Sequence, residues 1–519
     1  MIPHSVSEVL DDALAERPDD TAVVTRSGAT SYRDLDDLVN STAAALVDAG
    51  LQPGDRVAAC LPNDLDIVVH FHAVMRLGAI WAGLSAHLVA DELVNLIRSC
   101  QPKILLLDEA TAARLEGPLR EAGSRARVIV ICSGSAGTAW HEEVAAHRGS
   151  ARPPSPDPRR PAGIAYTSGT VGSPKGIVHS QANLLLPGAA IVASRRYDSQ
   201  LRKGDFLPLT ILNLIVLTTL LTAQAKGTSY LYDGTDARGM ATWIKRHRLS
   251  AWNAVPPVLY TMAHDDSIAA DSMESLDDIW SGGAACPEEI RAAFRAKFGK
   301  DIHMTYGQTE APSAVAITPR GERAPAGSSG KVLPHVVIEV RDPVSGDLLS
   351  AGEEGEICVA ADPAGPFAGR YRPMLGLWGA LDTVPADESL HTDDLGRVDE
   401  DGTLFVTGRR SQMIIRGGAN IYPSEVEATI LAMPAVQECV VIGVADVRLG
   451  ERVAAVVQRA AGGAVEGREI REFCSSRLAH HKVPEYVEFV DDFPRNAMGK
   501  VVRTMVPSLI PARPERLSG

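Results

Sequence analysis

The chain reads as an α/β protein: a large multi-subdomain N-terminal domain of β-sheets flanked by helices, then a small α+β C-terminal domain. Three observations predict this division. The 519 residues exceed what one hydrophobic core usually supports. Apolar strand-like runs alternate with helix-period segments early in the chain, the pattern of sheets with helices on their faces. A polar Gly-Arg-Arg-Ser break at 408–411 then sets off a tail with its own strand and helix signals. We place the domains at 1–409 and 410–519.

Taken in order, Ser31 with Asp34 three residues on, apolar residues at helical spacing and a terminal Gly50 predict a capped helix. A buried strand follows at Arg56 to Leu61, a helix at Ile67 to Arg76, a helix at Glu92 to Ser99, and strands at Lys103 to Glu109 and Arg127 to Ser133. "ARPPSPDPRRP", 151–161, is a connector that suits neither helix nor central strand. It leads to "YTSGTVGSPKG", Tyr166 to Gly176, bracketed by a short apolar strand and by the helix-like 180–194, a strand-loop-helix context in which backbone N–H groups converge on phosphate. The apolar run Leu207 to Ala225 is broken by Thr210, Asn213, Thr218, Thr219, Thr222 and Gln224, so it reads as a buried helix and not a membrane span. Asp401-Gly402 marks a hairpin turn. Strands at 439–445 and 452–458 and a helix at 468–478 complete the small domain.

Composition narrows the function. With 51 basic against 65 acidic residues the net charge is −14, which excludes a broad basic surface for nucleic acid and leaves any anionic ligand to a local site. The seven cysteines are odd in number and form no C-x-x-C pair, pointing to reduced thiols. The N-terminus lacks a basic start before an apolar core, so we expect no signal peptide and a cytoplasmic protein. The glycine- and hydroxyl-rich stretch with its single Lys175 suits a polyphosphate, yet it fits neither G-x-x-x-x-G-K-[ST] nor G-x-G-x-x-G.

That stretch resembles the signature loop of the adenylate-forming superfamily, in its acyl-CoA synthetase branch. The resemblance continues in order through "SGGAACP" (281–287), "MTYGQTE" (304–310), "GEEGEI" (352–357), "HTDDLG" (391–396), "GRRSQMIIRGGANIYPSEVE" (408–427) and "PRNAMGK" (494–500). It implies ATP, Mg2+ and CoA as cofactors: a carboxylate attacks the α-phosphorus of ATP, and a thiol then displaces AMP. The resemblance assigns the pyrophosphate cradle to Thr167, Ser168, Gly169, Thr170, Gly172 and Lys175, magnesium to Glu310 and α-phosphate contact to Thr309. It assigns adenine to Tyr306 and the backbone of Gly283, Ala284 and Ala285, the ribose to Asp393, ribose or phosphate to Arg409, and catalysis of adenylation to Lys500. Gly417 and Gly418 would line the pantetheine tunnel, and Gln412 would be the hinge.

Three departures stand out. Val171 replaces a hydroxyl of the loop, Gln412 replaces an Asp or Lys, and Ile211 stands where an aromatic residue or His is common. With Ile211, Asn213, Trp252 and Gly282 as its expected lining, the acyl pocket favours a bulky, weakly polar acid. The partners implied are a small-molecule carboxylic acid and CoA, or an acyl carrier protein or separate thiolation enzyme as acceptor. No nucleic acid or integral membrane segment is expected, and the oligomeric state stays open. A non-catalytic nucleotide-binding relative is the remaining alternative.

Overall fold

The computed structural model describes residues 4–132, 138–167, 175–284, 286–381, 389–460, 462–495 and 501–511. The chain forms two compact units, Met1–Ile338 with Val359–Leu390, and Glu339–Cys358 with His391–Gly519.

The first unit holds two large sheets. The nine-stranded sheet has a parallel centre, Thr21–Thr25, Thr228–Leu231, Arg202–Asp205, Ala251–Ala254, Asp278–Ser281 and His303–Gln308 in spatial order, with antiparallel strands closing both edges. The eight-stranded sheet runs from Arg127–Val130 through Ile104–Leu107, Arg56–Cys60, Ile80–Gly83 and Pro161–Thr167, all parallel, to the antiparallel Lys175–Ser180 and two short edge strands. Helices Tyr32–Asp48 and Leu65–Arg76 bury their apolar faces in one core with residues of both sheets, among them Val23, Leu231, Val57 and Trp81. The predicted cap acts as expected, Ser31 accepting from Asp34 N, and Asp64, accepting from Leu65 N, caps the next helix.

The run 207–225 is buried and, as expected, helical, from Leu212 to Ala225, with a π turn at Val216–Leu220 inside the helix. Thr218 donates to Asp205, and Thr219 and Thr222 return their hydroxyls to the carbonyls of Ile215 and Thr218. Among the described residues no helix is long and apolar enough to cross a membrane.

The second unit contains a four-stranded sheet (Val336–Arg341, Gly355–Ala361, Leu390–Val398, Leu404–Arg409), whose first three strands continue in from the first unit, and a five-stranded sheet. In the latter, Val436–Asp446 and Gly450–Arg459 pair antiparallel, and Tyr486–Val490 joins parallel to Gly450–Arg459. Within the second unit, a turn at Arg410–Gln412 lies between the last strand of the four-stranded sheet and the first of the five-stranded one, Ile414–Arg416.

Candidate active site

The glycine-rich stretch is carried by a hairpin. Strand Pro161–Thr167 pairs antiparallel with Lys175–Ser180, and Thr167 opposite Lys175 is the last pair before the loop. Ser168, Gly169, Thr170, Val171 and Gly172 lie outside the described residues. Here the strand-loop-helix reading is corrected. The chain returns as a strand, and helix Gln181–Arg195 starts only after it, capped by Ser180 accepting from Asn183 N. "KGIVHS" is apolar at its centre and completes the sheet, so the helix N-terminus does not open directly from the loop. Lys175 is exposed and Thr167 half-buried.

Beside this hairpin stands "TYGQTE". Strand His303–Gln308 runs parallel to Asp278–Ser281 and carries its C-terminal end to Thr309 and Glu310. The register slips between Tyr306 and Gly307, and a Cβ on Gly307 would stand 1.8 Å from the Ser313 carbonyl oxygen, so only glycine fits. Tyr306 is partly buried against the core that holds Val315, Phe367 and Tyr371. From the neighbouring strand end, Gly283 holds a φ of +77° with open space before it, while a Cβ on Gly282 would lie 2.5 Å from Thr305 Cγ2. Gly282 therefore answers the approach of Thr305. Ala284 is exposed, and Ala285 lies outside the described residues.

His179, which the sequence reading passed over, ties the two parts together. Its Nε2 donates to the Thr309 carbonyl at 2.6 Å, and its Nδ1 accepts from Asn183 Nδ2 at 3.4 Å. The carbonyl can only accept, so the tautomer is set. Burial lowers the imidazole pKa from 6.5 to about 4, which keeps the ring neutral. The next carbonyl, that of Glu310, accepts from Met374 N at 3.0 Å, and Leu375 N and Trp378 N donate to Val178 and Gly176. The backbone of Thr309 and Glu310 is thus fixed to the strand that leaves the glycine-rich loop. Among the described residues the half-buried Glu310 carboxylate has no cationic partner.

The expected acyl-pocket residues are divided. Ile211 packs on the core that holds Val57 and Trp81, and Asn213, two residues on, is half-buried, its Oδ1 buried with no hydrogen-bond partner among the described residues. Trp252 is 1% exposed and packs on Phe206 in a core with Tyr232 and Ile279.

In the second unit, Asp393 has a φ of +62° and accepts from the Ser411 hydroxyl, with Arg410 Nε 3.6 Å from its Oδ1. Its neighbour Asp394 is buried and ion-paired with Arg409 at 2.8 Å. The sequence reading chose between two adjacent aspartates without a signal to separate them; only the fold shows which one is buried against Arg409. Gln412, half-buried, ends the turn. Gly417 and Gly418, at φ +59° and +85°, make the two-residue turn between Ile414–Arg416 and Ala419–Ile421, a conformation that favours glycine. Lys500 lies outside the described residues; on either side of 496–500, Arg495 and Val501 form a β-bridge and Val502 N donates to Pro494 O at 2.8 Å.

Residues 10–365 match the family described as AMP-binding enzyme, and residues 425–500 match the AMP-binding enzyme C-terminal domain. The chain belongs to the AMP-binding enzyme family. It falls in the acyl-CoA synthetase branch of these adenylate-forming enzymes, which are AMP-forming acid–thiol ligases. It is 30% identical to the indoleacetate–CoA ligase of Aromatoleum aromaticum, over 97% of this chain and 98% of that one. It is 31% identical to a feruloyl-CoA synthase of Amycolatopsis sp, over 94% and 95%. The fold matches ATP-bound MatB from Rhodopseudomonas palustris with a TM-score of 0.86 and 28% identity, covering 97% of this chain and 98% of that one.

Proposed function

We propose that this AMP-binding enzyme activates a bulky, weakly polar carboxylic acid with ATP and passes the acyl group to CoA. One observation supports the reading: the Thr309-Glu310 dipeptide is hydrogen-bonded through His179 and through Met374-Leu375 to the strand that begins at Lys175, which brings Lys175's strand and the dipeptide together. Ile211 beside Asn213 supports an apolar acyl site with one polar position. The indoleacetate and feruloyl substrates in the names of the two relatives are acids of this kind.

A substrate carboxylate oxygen attacks the α-phosphorus, the bond to pyrophosphate breaks, and an acyl-adenylate remains. Lys175 and the hydroxyls from Thr167 to Thr170 offset the charge leaving with pyrophosphate, and Thr309 contacts the α-phosphate. Lys500 bridges the carboxylate and the α-phosphate as negative charge builds there, a kind of donor worth roughly 3 to 4 kcal/mol in comparable oxyanion sites. Glu310, a hard oxygen donor with no cationic partner among the described residues, fits Mg2+, which would neutralise phosphate charge when bound. Tyr306 and the backbone at 283–285 hold adenine, and Asp393 and Arg409 the ribose side. In the second half the CoA thiol attacks the acyl carbon, AMP leaves and the thiol proton is lost. We assign this half to a rotation of 410–519 about Gln412, with Gly417 and Gly418 beside the pantetheine arm.

The experiment is ATP-dependent AMP release over a panel of carboxylic acids, with and without CoA, using Lys500→Ala as control. A large hydrophobic or aromatic acid is expected to give AMP and its CoA thioester, both lost in the variant. Acetate or glycine outrunning every large acid would overturn the substrate reading. Acyl-adenylate that persists with CoA present would assign the thiol step to a carrier protein or a separate enzyme.

A further inference from the structure

Apart from the residues assigned to ATP, the four-stranded sheet brings together three side chains with a ligand chemistry of their own, two of them, Glu356 and His391, within the motifs at 352–357 and 391–396. Glu356 and Cys358 alternate on strand Gly355–Ala361 and so share one face. His391 stands on the adjacent strand Leu390–Val398, held alongside by Thr392 Oγ1 donating to Ile357 O at 2.6 Å. His391 Nδ1 lies 3.5 Å from Cys358 Sγ and 3.2 Å from Glu356 Oε2, and all three ligand atoms fall within 4.8 Å of one another. A tetrahedral zinc with bonds of about 2.3 Å to sulfur and about 2.0 to 2.1 Å to nitrogen and oxygen separates S from N by about 3.6 Å and N from O by about 3.3 Å. The two observed edges already have those lengths.

Burial supplies a second, independent observation. Glu356 is 3% exposed, and its Oε1 is buried with no hydrogen-bond partner among the described residues. A desolvated carboxylate oxygen is costly unless a cation or donor faces it. Cys358 is fully buried, whereas the His391 side chain is 58% exposed, leaving one side of the cluster open to solvent.

We propose that Glu356, Cys358 and His391 form a binding site for one borderline-soft divalent cation of the zinc type, with solvent as the fourth ligand. Thiolate and imidazole select such an ion over Mg2+, which separates this site from Glu310. The thiol proton of Cys358 leaves to solvent on binding, and Nδ1 of the neutral imidazole coordinates while Nε2 keeps its hydrogen. The nearest competitor is Arg410, whose Nη1 lies 3.3 Å from Glu356 Oε2 and whose side chain is 45% exposed. Cation and guanidinium contend for that oxygen, so metal uptake releases Arg410, the first residue of the 410–412 turn. The wide spacing of the cysteines concealed the site in the sequence, because the ligands converge only through strand pairing.

The test titrates the full chain with Co2+ in the absence of ATP and Mg2+. The expected result is one equivalent with a thiolate-to-cobalt band in the near ultraviolet and intense tetrahedral bands in the visible, displaced by Zn2+. Cys358→Ser should abolish the thiolate band, and Cys132→Ser, at the partly exposed thiol, should keep it. His391→Ala alters an exposed side chain and should weaken Co2+ binding about tenfold or more; Arg410→Ala should tighten it. No thiolate band in the parent chain, a band that follows Cys132, or one unchanged in both Cys358→Ser and His391→Ala would overturn the proposal.

Discussion

His179 shows how one side chain passes order between two motifs. It makes no claim on substrate, yet it donates the hydrogen bond that holds the Thr309 carbonyl at 2.6 Å. Leaving a buried acceptor unpaired costs about 1 to 3 kcal/mol. His179→Ala should therefore lower kcat/KM for ATP-dependent acyl-adenylate formation about tenfold or more. His179→Gln, whose amide still donates, should recover part of that loss. Parental kcat/KM in the alanine variant would show that Thr309 is positioned by other means. At this scale the sequence made the motif residues legible by their order and spacing. It could not reveal His179, which in "GIVHSQ" looks like any strand residue until Thr309, 130 positions away, is folded against it.

Among the elements, the turn that carries Ile211 and Asn213 is shaped by a neighbour. A Cβ on Gly83 would stand 1.8 Å from the Thr210 carbonyl oxygen, and one on Gly163 would lie 2.7 Å from a Leu212 methyl. Strands Ile80–Gly83 and Pro161–Thr167 must both present glycine there for the turn to lie close. Gly83→Ala should push the turn away, destabilise the protein by about 1 to 3 kcal/mol and change the ratio of kcat/KM between a large and a small acid. A variant with parental Tm and selectivity would remove this turn from the acyl site. Boundaries of the parallel strands were legible to within a few residues: Ile104–Leu107 is a run buried on both faces, and Arg127–Val130, largely exposed at the sheet edge, is a β-branched run. The strand Lys175–Ser180 and the π turn at Val216–Leu220 were not. Their conformation depends on which partner accepts their hydrogen bonds.

For the whole molecule, buried histidines contribute to the loss of stability in acid. Burial lowers the pKa of His72 and His335 from 6.5 to about 3 and that of His179 to about 4, and it lowers His70 in the same direction. Each imidazole is neutral in the folded state and takes up a proton on unfolding once the pH is below about 6.5. The unfolded state then binds more protons, so stability is complete above that pH and falls as the pH drops toward 4 and then 3. Each group steepens the decline by up to about 1.4 kcal/mol per pH unit. His141, raised by its hydrogen bond to Asp66, works in the opposite sense but is part-exposed and weaker. Tm measured from pH 7 to pH 4 should fall steadily, and a flat profile would mean that these rings are not buried and neutral in solution.

By itself the sequence determined the α/β class, the two-part organisation and the ordered motifs of the AMP-binding family. Periodicity, capping and glycine placement are local and can be read within a few residues. Only the tertiary structure decided that Trp252 belongs to the core, that Asp394 is buried against Arg409 beside the more exposed Asp393, and that Glu356, Cys358 and His391 meet. Burial and the pairing of distant strands are properties of the folded chain, and they set both the charge a side chain can carry and the partner that it meets.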